Sequence, residues 1–140
     1  VNAIIHHATC VAIGDRAILI EGPPGSGKSS LALALIDRGA VLVGDDGVSL
    51  EAREGRLYAN PPPNIAGLLE VRNLGLLEFQ AVSEVPVALV ILLNPDAPRF
   101  IDEAEKSERA GILLPLVRLW PSESAPALKA ELALKRYGLA

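Results

Sequence analysis

The chain has little of what several protein classes need. Cysteine occurs once, at Cys10, so no internal disulfide can form, and a reducing cytoplasmic setting is expected. Histidine occurs twice, at His6 and His7, and without a cysteine cluster a zinc site is not expected. No block of basic residues is present: 13 Lys and Arg face 17 Asp and Glu, a formal charge of −4, which argues against nucleic acid as a primary partner. The longest clean apolar run, Val85 to Leu93, contains Pro86 and falls far short of the roughly 20 residues of a membrane-spanning helix. No basic segment followed by an apolar run opens the chain, so no secretory leader is expected. There is no internal repeat, and the only biased segment, Asn60-Pro61-Pro62-Pro63-Asn64, reads as a stiff loop.

What is present suits a compact protein. Half of the 140 residues are apolar and 21% are charged, enough for a sizeable core and a single domain over residues 1–140. Ala8 to Ile13 and Ala17 to Glu21 read as strands joined at Gly14-Asp15, and Ser29 to Arg38 carries Leu31, Leu35 and Ile36 at helical spacing before Gly39. Ala40 to Gly44 is a further buried run, completing a strand-helix-strand unit. Val48 to Ala52 and Leu57 to Ala59 form a hairpin about Glu54-Gly55, while Leu68 to Phe79 is mixed in pattern. Val87 to Leu93 and Leu116 to Trp120 are expected as strands, acidic Arg99 to Ala110 as a helix, and Ser124 to Tyr137 as a helix capped by Ser124 and stopped at Gly138. The fold class is therefore α/β, a mixed sheet flanked by helices.

Gly22-Pro23-Pro24-Gly25-Ser26-Gly27-Lys28-Ser29 fits the phosphate-loop pattern and lies between an expected strand and an expected helix, followed by Ser30. Glycines let backbone N–H groups turn toward phosphate oxygens at a helix N-terminus, Lys28 neutralises the outer phosphates, and the Ser29 hydroxyl can ligate Mg²⁺. Asp45-Asp46 follows at the carboxyl end of a strand, where ligands bind in open α/β sheets. One carboxylate there can hold a metal and the other accept the proton of an attacking hydroxyl, although Asp-Asp-Gly is also ordinary turn chemistry. Glu70 and Arg72 share a face if extended, offering a metal ligand and a phosphate partner, or only a surface ion pair. Arg99 and Arg109 read as helix-surface arginines, and Trp120 as a core anchor.

From about His7 to Leu77 these residues resemble the catalytic domain of bacterial HPr kinase/phosphorylase. The resemblance rests on His7 fifteen residues before Gly22, on Gly25-Ser26-Gly27-Lys28-Ser29, on Leu33 to Gly39 leading to Asp45-Asp46, and on Glu70-Val71-Arg72-Asn73-Leu74-Gly75. It implies a nucleotide-binding core similar to that of phosphoenolpyruvate carboxykinase, ATP and Mg²⁺ as cofactors, and an HPr-like phosphocarrier protein phosphorylated on serine. Residue by residue, it implies that Lys28 binds phosphates, Ser29 and Glu70 hold Mg²⁺, Asp45 or Asp46 is the acid/base assisted by His7, and Arg99 matches a family arginine. It further implies a short form made of the kinase domain alone, assembled as a hexamer.

The chain departs from the family at Ser30 and Ala40, where Glu and His are common, and at Pro121 to Pro126, where a basic loop is expected and no arginine occurs. Kinase activity is therefore expected over the reverse phosphorylase reaction. The rival readings are a small-molecule phosphate-loop kinase and a non-catalytic ATP-sensing module.

Overall fold

The computed structural model describes residues 3–140. Eleven strands and two helices follow in the order β1 (Ile4–His6), β2 (Thr9–Ile13), β3 (Arg16–Glu21), α1 (Lys28–Asp37), β4 (Val41–Gly44), β5 (Val48–Arg53), β6 (Arg56–Asn60), β7 (Leu68–Val71), β8 (Gly75–Glu78), β9 (Val85–Leu93), β10 (Glu105–Arg109), β11 (Ile112–Leu119) and α2 (Pro126–Tyr137). Nine strands join in one mixed sheet, ordered β1-β5-β6-β9-β3-β2-β4, with β11 also pairing β9 and carrying β10. The expected α/β class is what forms.

Strand β3 runs parallel to β9, and β9 parallel to β11, so three carboxyl ends lie side by side. Strand β2 is antiparallel to both β3 and β4, and it separates the two strands of the β3-α1-β4 unit. Side chains of β3 alternate between faces, as the two-residue period requires: Ile18 and Ile20 meet one core, Ala17 and Leu19 the other. The first core packs Leu31 and Leu35 of α1, Ala130 and Leu134 of α2, and Leu69 and Val71 of β7. The second packs Val48, Leu50 and Leu57 of the β5-β6 hairpin with Leu114 and Leu116 of β11. Cys10 belongs to this second core, where burial pushes its thiol pKa up and leaves it unreactive.

Three expectations are corrected. Arg99 to Ala110 is not a helix: residues 99–104 are irregular and Glu105–Arg109 is β10, antiparallel to β11. Ala110 and Gly111 both have positive φ, 51° and 84°, the backbone of a tight two-residue hairpin turn, so pairing with β11 prevails over the helical composition. Ser124 does not cap α2; Ala125 occupies that position in the left-handed region without a side-chain bond, and Pro126 opens the helix. Trp120 is half-buried and belongs to neither core cluster. The mixed Leu68 to Phe79 segment resolves into the β7-β8 hairpin, a separate two-stranded sheet anchored by Leu69 and Val71.

Candidate functional site

The loop after β3 turns on left-handed Gly25 (φ 78°) and Gly27 (φ 102°), conformations that an L side chain strains. Gly27 leads directly into α1, so the loop's backbone amides and the positive end of the helix face the same space. Lys28 folds back over the loop, its Nζ donating to the carbonyls of Gly22 at 3.0 Å and Pro23 at 3.3 Å. The Ser26 hydroxyl is buried without a hydrogen-bond partner, a donor left available inside the loop.

A second turn, Gly44 to Gly47, presents the two aspartates. A Cβ on Gly44 would collide with the Gly47 carbonyl, so glycine is what allows this turn to close. The carboxylates differ sharply in surroundings. Asp45 Oδ1 accepts the Ser29 hydroxyl at 2.7 Å and the Thr9 hydroxyl at 2.9 Å, and its Oδ2 accepts the Glu70 backbone N–H at 3.0 Å. Asp46, in the left-handed region at φ 59°, is exposed.

These elements enclose a cavity of about 230 Å³, lined by Thr9, Pro24, Gly25, Gly27, Lys28, Ser29, Ser30, Asp45, Asp46, Glu70 and Arg72. Most of the sequence-derived candidates thus converge. Gly22, Pro23 and Ser26 belong to the same loop but do not line the cavity. His7 is exposed and lies outside it, and Arg99 lines a different cavity beyond β9 and β11. Among the described residues there is no cluster of three or more His, Cys, Asp or Glu side chains, so a metal here must draw on hydroxyl and phosphate oxygens as well. Ser29, Glu70 and Asp45 form an all-oxygen donor set beside a phosphate loop, which fits Mg²⁺.

Two participants were not foreseen. Thr9 is fully buried, and its only sequence signal is a hydroxyl in an otherwise apolar strand paired to Ile20 just before the loop. Glu21, the residue preceding Gly22, receives both arms of Arg109 at 2.7 and 2.8 Å and faces His6 Nε2 at 2.7 Å. Burial raises the Glu21 pKa, but the hydrogen bonds and charges of Arg109 and His6 outweigh it and hold the carboxyl at about 2. Of the two neighbouring histidines, His6 is the one tied to the root of the loop. Arg109, expected on a helix surface, instead arrives from β10.

This architecture can be set beside known proteins. The profile of the HPr serine kinase C-terminal domain matches residues 1–85, well over half of the chain. This chain belongs to the HPr kinase family. It is 32% identical over 127 residues to the HPr kinase/phosphorylase of Streptococcus sanguinis, covering 81% of this chain and 40% of that protein. It is 44% identical over 76 residues to the HPr kinase/phosphorylase of Clostridium tetani, covering 54% of this chain and 25% of that protein. The chain therefore spans between a quarter and two fifths of the length of these relatives. The solved Hpr(Ser) kinase/phosphatase of Coxiella burnetii superposes with a TM-score of 0.80 at 28% identity, covering 94% of this chain and 89% of that one. Among the described residues no helix is long and apolar enough to cross a membrane.

Proposed function

We propose that this chain is an ATP- and Mg²⁺-dependent protein serine kinase that phosphorylates an HPr-like phosphocarrier in the cytoplasm. The observation that carries the reading is the division of labour between adjacent carboxylates: Asp45 has both oxygens occupied, while exposed Asp46 lines the same cavity as the phosphate loop. The names of the similar proteins support the substrate class.

In this scheme Lys28 exchanges the Gly22 and Pro23 carbonyls for phosphate oxygens of ATP, and the loop amides hold the phosphates in line. Ser29 and Glu70, with Asp45 behind Ser29, would hold Mg²⁺, which neutralises charge on the phosphates. Asp46 accepts the proton of the incoming serine hydroxyl as its oxygen bonds to the γ-phosphorus and ADP departs. Arg72, which lines the same cavity, offsets charge on the transferring group. In the reverse direction inorganic phosphate attacks the phosphorus of phosphoserine, the serine Oγ–P bond breaks to leave pyrophosphate, and Asp46 returns the proton to the serine oxygen, a reaction expected to be weak because residues 121–126 carry no arginine. His7 and Arg99 have no step in this scheme. A homo-oligomer, hexameric by resemblance, is part of the same reading and is supported by exposed apolar side chains at Ile4, Ile5, Leu74 and Leu76.

Asp46→Asn tests the assignment, since asparagine also tolerates the left-handed backbone. Transfer to the carrier should fall by roughly 10²-fold or more with ATP affinity retained. Asp45→Asn should instead weaken Mg²⁺-dependent nucleotide binding. An Asp46→Asn protein that phosphorylates the carrier at an unchanged rate overturns the scheme.

A further inference from the structure

We infer that the cavity between the loops after β9 and β11 receives the nucleoside half of the nucleotide, with the Trp120 indole as its stacking surface. This rests on the phosphate-loop reading above and extends it to a part of the ligand that the loop does not contact. The cavity at the loop, about 230 Å³, is smaller than the roughly 300 to 1,000 Å³ that holds a whole small molecule, so it suits the phosphates alone. The second cavity is larger, about 470 Å³, with Pro95, Pro98 and Trp120 offering flat apolar surface and Arg99 and Lys129 polar groups.

Position links the two. Ligands of open α/β sheets bind outside the carboxyl ends of parallel strands, and β3, β9 and β11 present those ends in adjacent order. The phosphate loop follows β3, and the second cavity is built from the segments that follow β9 and β11. These segments are joined where the Asn94 N–H donates to the Leu119 carbonyl at 2.9 Å. The wall between the cavities is thin: Gly27 lines the first, Trp120 lines the second, and a Cβ on Gly27 would stand 3.4 Å from Cγ of Pro121, the residue after Trp120. A ligand with its phosphates on the loop would thus pass Gly27 and Pro121 to reach the indole. Arg118 on the second cavity's wall is already paired with Glu105 at 2.7 Å, which leaves this cavity less suited to a second phosphate cluster than to a base.

Trp120 is the only tryptophan in the chain, so tryptophan emission, excited selectively over the two tyrosines, reports on this cavity. The test titrates the chain with ATP and with inorganic tripolyphosphate, each with Mg²⁺, following tryptophan emission and, in parallel, heat of binding. The expected result is that both bind, that only ATP changes the emission, and that ATP binds more tightly. Trp120→Ala should weaken ATP by at least about fivefold, the contribution of one base stacked on an aromatic ring, and leave tripolyphosphate unchanged. Trp120→Phe should restore most of the difference and controls for misfolding of the alanine variant. Equal affinity for ATP and tripolyphosphate in the native chain, or an unchanged ATP affinity in a folded Trp120→Ala, overturns the inference while leaving the phosphate loop in place. A native chain that binds neither ligand overturns both.

Discussion

Replacing Glu21 by glutamine removes the charge that gathers β1, β3 and β10 at the root of the phosphate loop. The native carboxylate is largely enclosed, holding two bonds from Arg109 and one contact with His6. Its pKa is depressed from the ordinary 4.5 to about 2. A depression of that size corresponds to about 3 kcal/mol of native-state stability. Because the folded-state value is the lower one, this contribution is complete above the unfolded-state pKa. It fades as pH falls from about 4.5 toward about 2. Glutamine keeps the shape but leaves the Arg109 guanidinium without its counter-charge. The assay is urea unfolding of native and Glu21→Gln chains, followed by circular dichroism at several pH values from about 7 down to about 3. The expected result is a gap of about 3 kcal/mol at neutral pH that narrows on acidification. A gap below about 0.5 kcal/mol at neutral pH, or one that stays constant as pH falls, would mean that the ionised Glu21 does not stabilise the native state through Arg109.

Thr9→Val deletes one of the two hydroxyls on Asp45 Oδ1 while keeping the side-chain shape. In the proposed scheme Thr9 positions Asp45: the half-saturating Mg²⁺ concentration for ATP binding should rise several-fold, Thr9→Ser should restore it, and a Mg²⁺ titration of ATP binding in the three proteins checks this. Gly44→Ala drives a methyl group into the Gly47 carbonyl and displaces the turn bearing both aspartates. It should cost roughly 1–3 kcal/mol in thermal or urea unfolding and lower transfer activity together with it.

How far the fold could be read from sequence depended on whether local pattern and tertiary pairing agree. The β3-loop-α1-β4 unit was legible because its strands are apolar runs, its glycines punctuate the turns, and Leu31 and Leu35 share the buried face of α1. The hairpin about Glu54-Gly55 was legible for a similar reason, and its positive φ angles of 51° and 77° match those of Ala110-Gly111. At Ala110-Gly111 the same turn was hidden, because β10 is Glu105-Lys106-Ser107-Glu108-Arg109, without an apolar face to betray its period. Its pairing is set by β11, which lies beyond any local window. The site divides in the same way. Lys28, Ser29, the aspartate pair, Glu70 and Arg72 come from motifs, whereas Thr9 and the Glu21-Arg109 pair are contacts across 36 and 88 residues that no spacing announces. Which aspartate is free became legible only once the three donors on Asp45 were placed.

Phosphoryl transfer to a protein serine at this cavity is decided by incubating the chain with Mg²⁺, γ-labelled ATP and an HPr-type carrier from the same source. A second carrier with its target serine replaced by alanine runs beside it. Label is expected on serine of the intact carrier, none on the alanine carrier, and loss of label with Asp46→Asn. Measurable ATP binding with no label on a folded carrier would contradict transfer to a protein serine.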